Sequence, residues 1–182
     1  DQLILVADVA KDKVKNESFA GFTGVPTHFR QKLTKVSFSL AKSDLSDADE
    51  EIYITTLSIG GYYTKGDYRK GGTSLEAWTN LSKPATEYVV FYDDADGHKL
   101  TSEPWILDKV MIPQSLSSEA YLKISYRTVK GKTVNTEGPV TLYFVKDFRS
   151  GIWSMGTHVT YTLKVGAGMF PILFDASAST WT

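Results

Sequence analysis

Residues 150–165 read Ser-Gly-Ile-Trp-Ser-Met-Gly-Thr-His-Val-Thr-Tyr-Thr-Leu-Lys-Val. Gly151 and Gly156 frame a turn that carries Trp153, and a strict alternation follows. Val159, Tyr161, Leu163 and Val165 share one face, while Thr160, Thr162 and Lys164 share the other. Period 2 with β-branched and aromatic residues predicts a half-buried strand. Gly166, Gly168 and Pro171 then mark a turn into a short apolar run, Ile172-Leu173-Phe174, and the sequence ends at Trp181-Thr182. A wide hairpin closing an all-β domain is the expectation.

The same grammar runs through the rest of the chain. Leu3–Val9 is an apolar run of strand length, and the polar stretch Lys11–Gly24 reads as a loop leading to Pro26-Thr27. Leu33, Val36, Phe38 and Leu40 form one face of a strand, with Ser37 and Ser39 opposite. Ile52, Ile54 and Leu57–Ile59 open a strand that ends at Gly60-Gly61, and Glu87–Asp93 and Trp105–Val110 read as two more. Pro113, which cannot donate to a ladder, stops the run Val110–Leu116. Leu122, Ile124 and Tyr126 alternate with Tyr121, Lys123, Ser125 and Arg127, up to a turn at Lys130-Gly131-Lys132. Val134–Pro139 is polar, and the pattern resumes with Val140, Leu142 and Phe144. Turn signals every 8–15 residues, without a helical period, predict a sandwich or barrel of seven to nine strands, taken as a single domain over 1–182.

Composition narrows the function. Net charge is −1 with both signs well mixed, so neither a nucleic-acid field nor a polybasic membrane patch is present. The absence of cysteine removes disulfides, thiol catalysis, thiolate zinc sites and iron–sulfur clusters. No apolar run approaches the length of a transmembrane helix. The chain starts at Asp1 without a Met, which predicts a processed or truncated product whose targeting segment lies upstream.

Candidate sites each admit two readings. Lys42–Glu51 holds five carboxylates in ten residues; without the glycine and spacing of a calcium loop, it reads as a solvated acidic turn. Asp94, Asp96 and Gly97 could suit an ion but match a tight hairpin turn first. Tyr62, Tyr63 and Tyr68 lie in a Gly- and Lys-rich stretch ending at Gly71-Gly72, which is either a contact loop or a long hairpin connection. Trp78 and Leu81 then tuck the chain back onto the sandwich. Trp153, Tyr161, Phe38, Val36 and Trp181 are the expected core anchors. His28, His98 and His158 stand alone in sequence and read as surface or capping residues rather than ligands. No nucleophile elbow, Walker loop or dinucleotide fingerprint occurs, so neither an enzyme nor a cofactor or metal site is expected. Asn16-Glu-Ser18 and Asn80-Leu-Ser82 match the glycosylation pattern, which arises often by chance.

Four blocks in order resemble the fimbrillin family of Bacteroidetes, which comprises pilins and pilus-associated (Mfa-like) surface proteins. They are Phe29-Arg-Gln-Lys-Leu-Thr-Lys-Val-Ser-Phe38; Met111-Ile-Pro-Gln114 before the Tyr121–Tyr126 strand; Trp153-x-x-Gly156-x-x-Val159-x-Tyr161-Thr162-Leu163; and Ile172-x-Phe174 with terminal Trp181. Gln31 stands where the family pattern has His. The blocks are similar to the family's second, C-terminal lobe, so the resemblance implies a transthyretin-like Greek-key sandwich and a preceding lobe. It further implies export as an outer-membrane lipoprotein with an upstream lipid anchor, and a role as a non-enzymatic fimbrial subunit or adhesin. Partners would be other subunits, joined by β-strand donation, and a host protein or glycan receptor. Nothing after Trp181 resembles a donor arm. The alternative is a carbohydrate-binding sandwich of a glycan-capture protein, with Trp78, Trp105 and the Tyr62–Tyr68 stretch as stacking surfaces.

Overall fold

Each period-2 stretch becomes a strand in the computed structural model, which describes residues 4–7, 29–70, 76–93, 95–166 and 172–181. Fifteen strands and no helix occur among them. In chain order they are β1 (Leu5–Ala7), β2 (Phe29–Gln31), β3 (Thr34–Lys42), β4 (Glu50–Gly60), β5 (Tyr63–Arg69), β6 (Ala77–Pro84), β7 (Tyr88–Tyr92) and β8 (His98–Lys99). Then follow β9 (Trp105–Met111), β10 (Gln114–Ser115), β11 (Tyr121–Lys130), β12 (Thr133–Tyr143), β13 (Ile152–Trp153), β14 (Thr157–Val165) and β15 (Ile172–Thr180).

Two sheets carry the domain. One runs β12–β11–β4–β7 with β8 also on β4, and the other runs β15–β14–β3–β9. The five and four strands of these sheets fall within the expected seven to nine. Their inner faces share one apolar core, including Val36, Phe38 and Leu40 of β3, Ile52–Ile59 of β4, Leu122–Tyr126 of β11 and Val159–Val165 of β14. Within these sheets only β11–β12 and β14–β15 are hairpins; the other pairs join distant segments, and β3 with β14 is parallel. The expected all-β sandwich is what the chain forms.

Register explains a parity change in the sequence. Ile52 and Ile54 are even, Leu57 and Ile59 odd, yet all four are fully buried. Across the ladder Ser125 faces Thr56 while Tyr126 faces Ile54, so Thr55 is an extra residue in β4. This bulge returns the second apolar pair to the core face, whereas β11 keeps an unbroken alternation.

The centre of the core is aromatic. Trp153 and Tyr161 are fully buried, and the indole N–H donates to the Tyr161 hydroxyl at 2.9 Å. Ser150 Oγ meets the same hydroxyl at 3.0 Å. Around the pair stand Phe38 (5.8 Å from Tyr161 between centroids), Phe144 (4.7 Å), Phe148 (5.0 Å) and, against Trp153, Tyr62 (5.7 Å). The 144–153 segment thereby plugs the flank between β12 and β15. At the opposite flank Trp105 of β9 meets Phe91 of β7 edge-on at 4.8 Å.

Several local expectations change. Residues 62–69 are not a loop: β5 pairs with β6 in a separate two-stranded ribbon. The polar stretch 134–139 belongs to the long edge strand β12, because pairing with β11 through the Gly131 turn does not require an apolar face. Asp93–Gly97 does not join a hairpin, since β7 and β8 both pair with β4 and the turn is an excursion from one edge. Ser37 and Ser39 are buried although they point away from the core, because β3 is flanked by β14 and β9. The readings placed on Lys11–Gly24, Asn16, Pro26, Thr27, His28, Gly71, Gly72, Asp94, Gly168 and Pro171 lie outside the described residues.

Removing either partner of the central hydrogen bond tests this core. Trp153→Ala is expected to cost about 3–5 kcal/mol, and Tyr161→Phe, which orphans the indole N–H, about 1–3 kcal/mol. Thermal denaturation followed by near-UV circular dichroism should show midpoints lowered by roughly 10 °C and a few degrees respectively.

Candidate functional site

The three tyrosines singled out above part company. Tyr62 follows Gly61, whose φ of +73° turns the chain inward where an added Cβ would lie 2.3 Å from Glu119 O. Its ring is therefore packed into the core. Burial pushes its phenol up to about 12. Tyr63 is exposed, with its backbone clamped by the Gln114 amide (Tyr63 N to Oε1 2.7 Å, Nε2 to Tyr63 O 3.0 Å). Tyr68 packs against Trp78 at 5.7 Å, beside the Lys32–Glu76 ion pair (2.5 Å). The Trp78 indole donates to Lys32 O at 2.6 Å, which docks the ribbon onto the segment before β3. Trp105 has one face covered by His98 at 3.7 Å. Of the rings that a sugar platform would present, Tyr68, Trp78 and Trp105 already have partners within the chain, while Tyr63 stays exposed.

The acidic segments are stitched by lysines. Asp44 pairs with Lys164 and Asp47 with Lys130, each at 2.5 Å, and Glu51 pairs with Lys99. Hydrogen bonds from these lysines hold the three carboxyls below their usual range. Asp93 Oδ1 accepts the Ala95 and Asp96 N–H groups at 3.2 Å, and Asp96 O accepts from Arg127. Among the described residues no group of three His, Asp or Glu is placed to hold a metal ion.

One polar cluster contains Ser, His and Asp but is wired differently from a hydrolase triad. Ser37 Oγ donates to Asp108 Oδ1 at 2.5 Å and lies 2.7 Å from His158 Nε2, with Lys35 on the other carboxylate oxygen at 2.9 Å. The serine thus sits between acid and imidazole, so His158 acts as an Nε2–H donor. A nucleophile would need the histidine as acceptor with the acid behind it. Ser37 is also almost wholly buried. Burial and Lys35 depress the His158 imidazole, so the cluster stays a neutral-histidine tie between β14, β3 and β9. Its parity was readable, but His158 and Asp108 are fifty residues apart, and only the β3-centred register brings them together.

Besides a cleft of about 230 Å³ lined by Tyr62, Tyr63, Tyr88 and Lys109 among others, two more surface clefts stand out. The larger, about 870 Å³, lies where β2, the β14 turn and the end of β15 meet, lined by Phe29, Gln31, Glu76, Met155 and Trp181 among others. Trp181, an expected core anchor, is here half-buried and lines this cleft; its N–H holds Gly156 O at 2.9 Å. Val36, Phe38, Tyr161 and Trp153 lie fully buried. The smaller cleft, about 200 Å³, runs along β15 between Ala176–Ala178 and Phe148–Ile152.

Sheet edges are the remaining feature. β12 carries Glu137 and Pro139, β9 carries Asp108 and Lys109, and β7 is short with an extra residue at Val90. Each of these devices discourages pairing with another chain. β15 has nine residues fully paired to β14 on one side, Asp175 as its single charge, and no proline. Leu173 and Phe174 are about 40% exposed on it (42% and 40%). Sequence reading saw only its first three residues, since the alternation beyond Asp175 is of alanine with serine, too small to mark an apolar face.

No family model matches the chain, and no curated protein matches it. Among solved structures it is similar to a fimbrial protein from Bacteroides vulgatus, with TM-score 0.49 and 17% identity over 86% of this chain and 56% of that one. It is also similar to the tip fimbrial protein Mfa3 from Porphyromonas gingivalis with C-terminal truncation, with TM-score 0.44 and 11% identity over 84% of this chain and 52% of that one. The chain spans about half the length of these structures.

Burial of Tyr62 has a consequence at high pH. A phenol held at about 12 when folded and about 10 when unfolded favours the native state fully below pH 10, and that stability is lost as pH rises toward 12. Denaturant titrations across this window should show a fall that is shallower in Tyr62→Phe by up to about 1.4 kcal/mol per pH unit.

Proposed function

We infer that this chain is a non-enzymatic surface subunit that works by protein–protein assembly, joining other fimbrial subunits by strand addition. The observation that carries this reading is the outer edge of β15, unpaired with any strand among the described residues, nine residues long, with Asp175 as its single charge and no proline. An edge of this kind offers its outward N–H and C=O groups to an incoming strand, which gains main-chain bonds and apolar burial together. The four sequence blocks that resemble the fimbrillins support the same conclusion. Location on the outer surface, behind a lipid anchor, and a host protein or glycan as receptor belong to this proposal as well. A single domain over 1–182, forming the C-terminal lobe of a longer protein, is also part of it.

The glycan-capture alternative draws less from the geometry, because Trp78 and Trp105 are engaged by Lys32 O and His98. Limited trypsin treatment, followed by electrophoresis in SDS without boiling, discriminates the two. Assembly predicts resistant ladders that disappear when Ser177→Lys and Ser179→Lys charge the β15 edge. A protein that stays monomeric under every digestion condition contradicts the reading.

A further inference from the structure

The two halves of β15 differ in size. Ile172, Leu173 and Phe174 are bulky, while Ala176, Ser177, Ala178 and Ser179 are small. Beside the small half lies the cleft of about 200 Å³, floored by Val159 and walled by Phe148 and by Ile152, which is 61% exposed. Arg149, exposed and held at a left-handed φ of +54°, lines this cleft together with Ser177. The strand's single carboxylate, Asp175, lies two residues before Ser177 and accepts the Ala176 N–H at 2.8 Å.

We propose that the β15 edge is a homodimer surface, on which a second copy pairs its own β15 antiparallel about a two-fold axis at Ala176. This deepens the assembly reading and rests on it, by naming the first occupant of the edge. In that register Phe174 of each copy lies opposite Ala178 of the other, so its ring enters the cleft that the alanines leave open. Ile172 lies opposite Thr180, and Leu173 opposite Ser179. Asp175 lies opposite Ser177, which lines the same cleft as Arg149; as the pairing takes up the Ala176 N–H, the Asp175 carboxylate exchanges that donor for the Arg149 of the other copy, and the two-fold axis repeats the ion pair. Bulk meets gap and acid meets base twice in a self-complementary patch, as an isologous interface requires. The four-stranded sheets join into one continuous sheet of eight, in which both β15 edges are paired and β9 forms the two outer edges. A parallel or shifted pairing would set Phe174 against Phe174 or separate Asp175 from Arg149. No other partner is needed to explain the size asymmetry, the cleft and the lone charge together.

Sedimentation velocity of the intact chain over about 1–100 µM tests this. The expected result is a shift from the 20.2 kDa monomer to twice that mass. Arg149→Glu and Asp175→Arg should each weaken the dimer at least about fivefold, and the combined swap should restore it. Ala178→Trp, which fills the cleft, should give monomer at every concentration while keeping the native circular dichroism spectrum. A wild type that stays monomeric overturns the proposal, as does an Ala178→Trp variant that dimerises normally or a double swap that does no better than the singles. Trypsin-dependent ladders from a monomeric wild type would still report assembly with other strands, so the two readings fail separately.

Discussion

The hydrogen bond from the Trp153 indole to the Tyr161 hydroxyl is the constraint on which the rest depends. Two polar atoms sit in an otherwise apolar centre, and each is satisfied by the other, with Ser150 completing the hydroxyl's partners. Buried polar groups with partners cost little, whereas orphaned ones cost a large share of a domain's net stability. The pair therefore locks the register of β14 against the 144–153 segment. That segment in turn sets the flank beside β15, through Phe148 against Phe174 at 5.2 Å.

Consequences run outward from this point. β14 lies between β15 and β3, so fixing Tyr161 also fixes where Phe38 stacks and where His158 meets Ser37. On the facing sheet the extra residue at Thr55 lets β4 offer four isoleucine and leucine side chains to the same core. A sandwich closed so well at its centre leaves its incompleteness at the rim. Three edges are guarded by charge, proline or a bulge, and β15, with Asp175 as its one charge, has no strand on its outer side among the described residues. The proposed assembly rests on that asymmetry rather than on any reactive group.

Much of the fold was legible because alternation is a direct readout of a half-buried strand. Val159–Val165 and Leu122–Tyr126 needed nothing beyond the chain itself. Residues 134–139 lie exposed and select no apolar pattern, and 175–180 turn only alanines toward the core, so neither was legible as a strand. The tyrosine-rich stretch misled for a related reason. Glycine and tyrosine together describe a contact loop and a long hairpin connection equally well, and only the Gly61 turn decides that Tyr62 enters the core. The Ser37–Asp108–His158 tie and the Arg149 rim depend on long-range register, which a single sequence does not carry. The acidic turn, by contrast, had its solvated reading in the sequence, and the lysines that pair with it come from β11 and β14.

Hydrogen exchange at β15 tests the central claim most directly, because it reads the edge itself. Amides of the isolated chain should exchange fast at alternate β15 positions, where the N–H points away from β14, and slowly in β3, β4 and β11. On association those same β15 amides should become protected, while β7 and β9 keep their rates. Association that leaves β15 exchange unchanged, or protects β7 or β9 instead, would contradict the account.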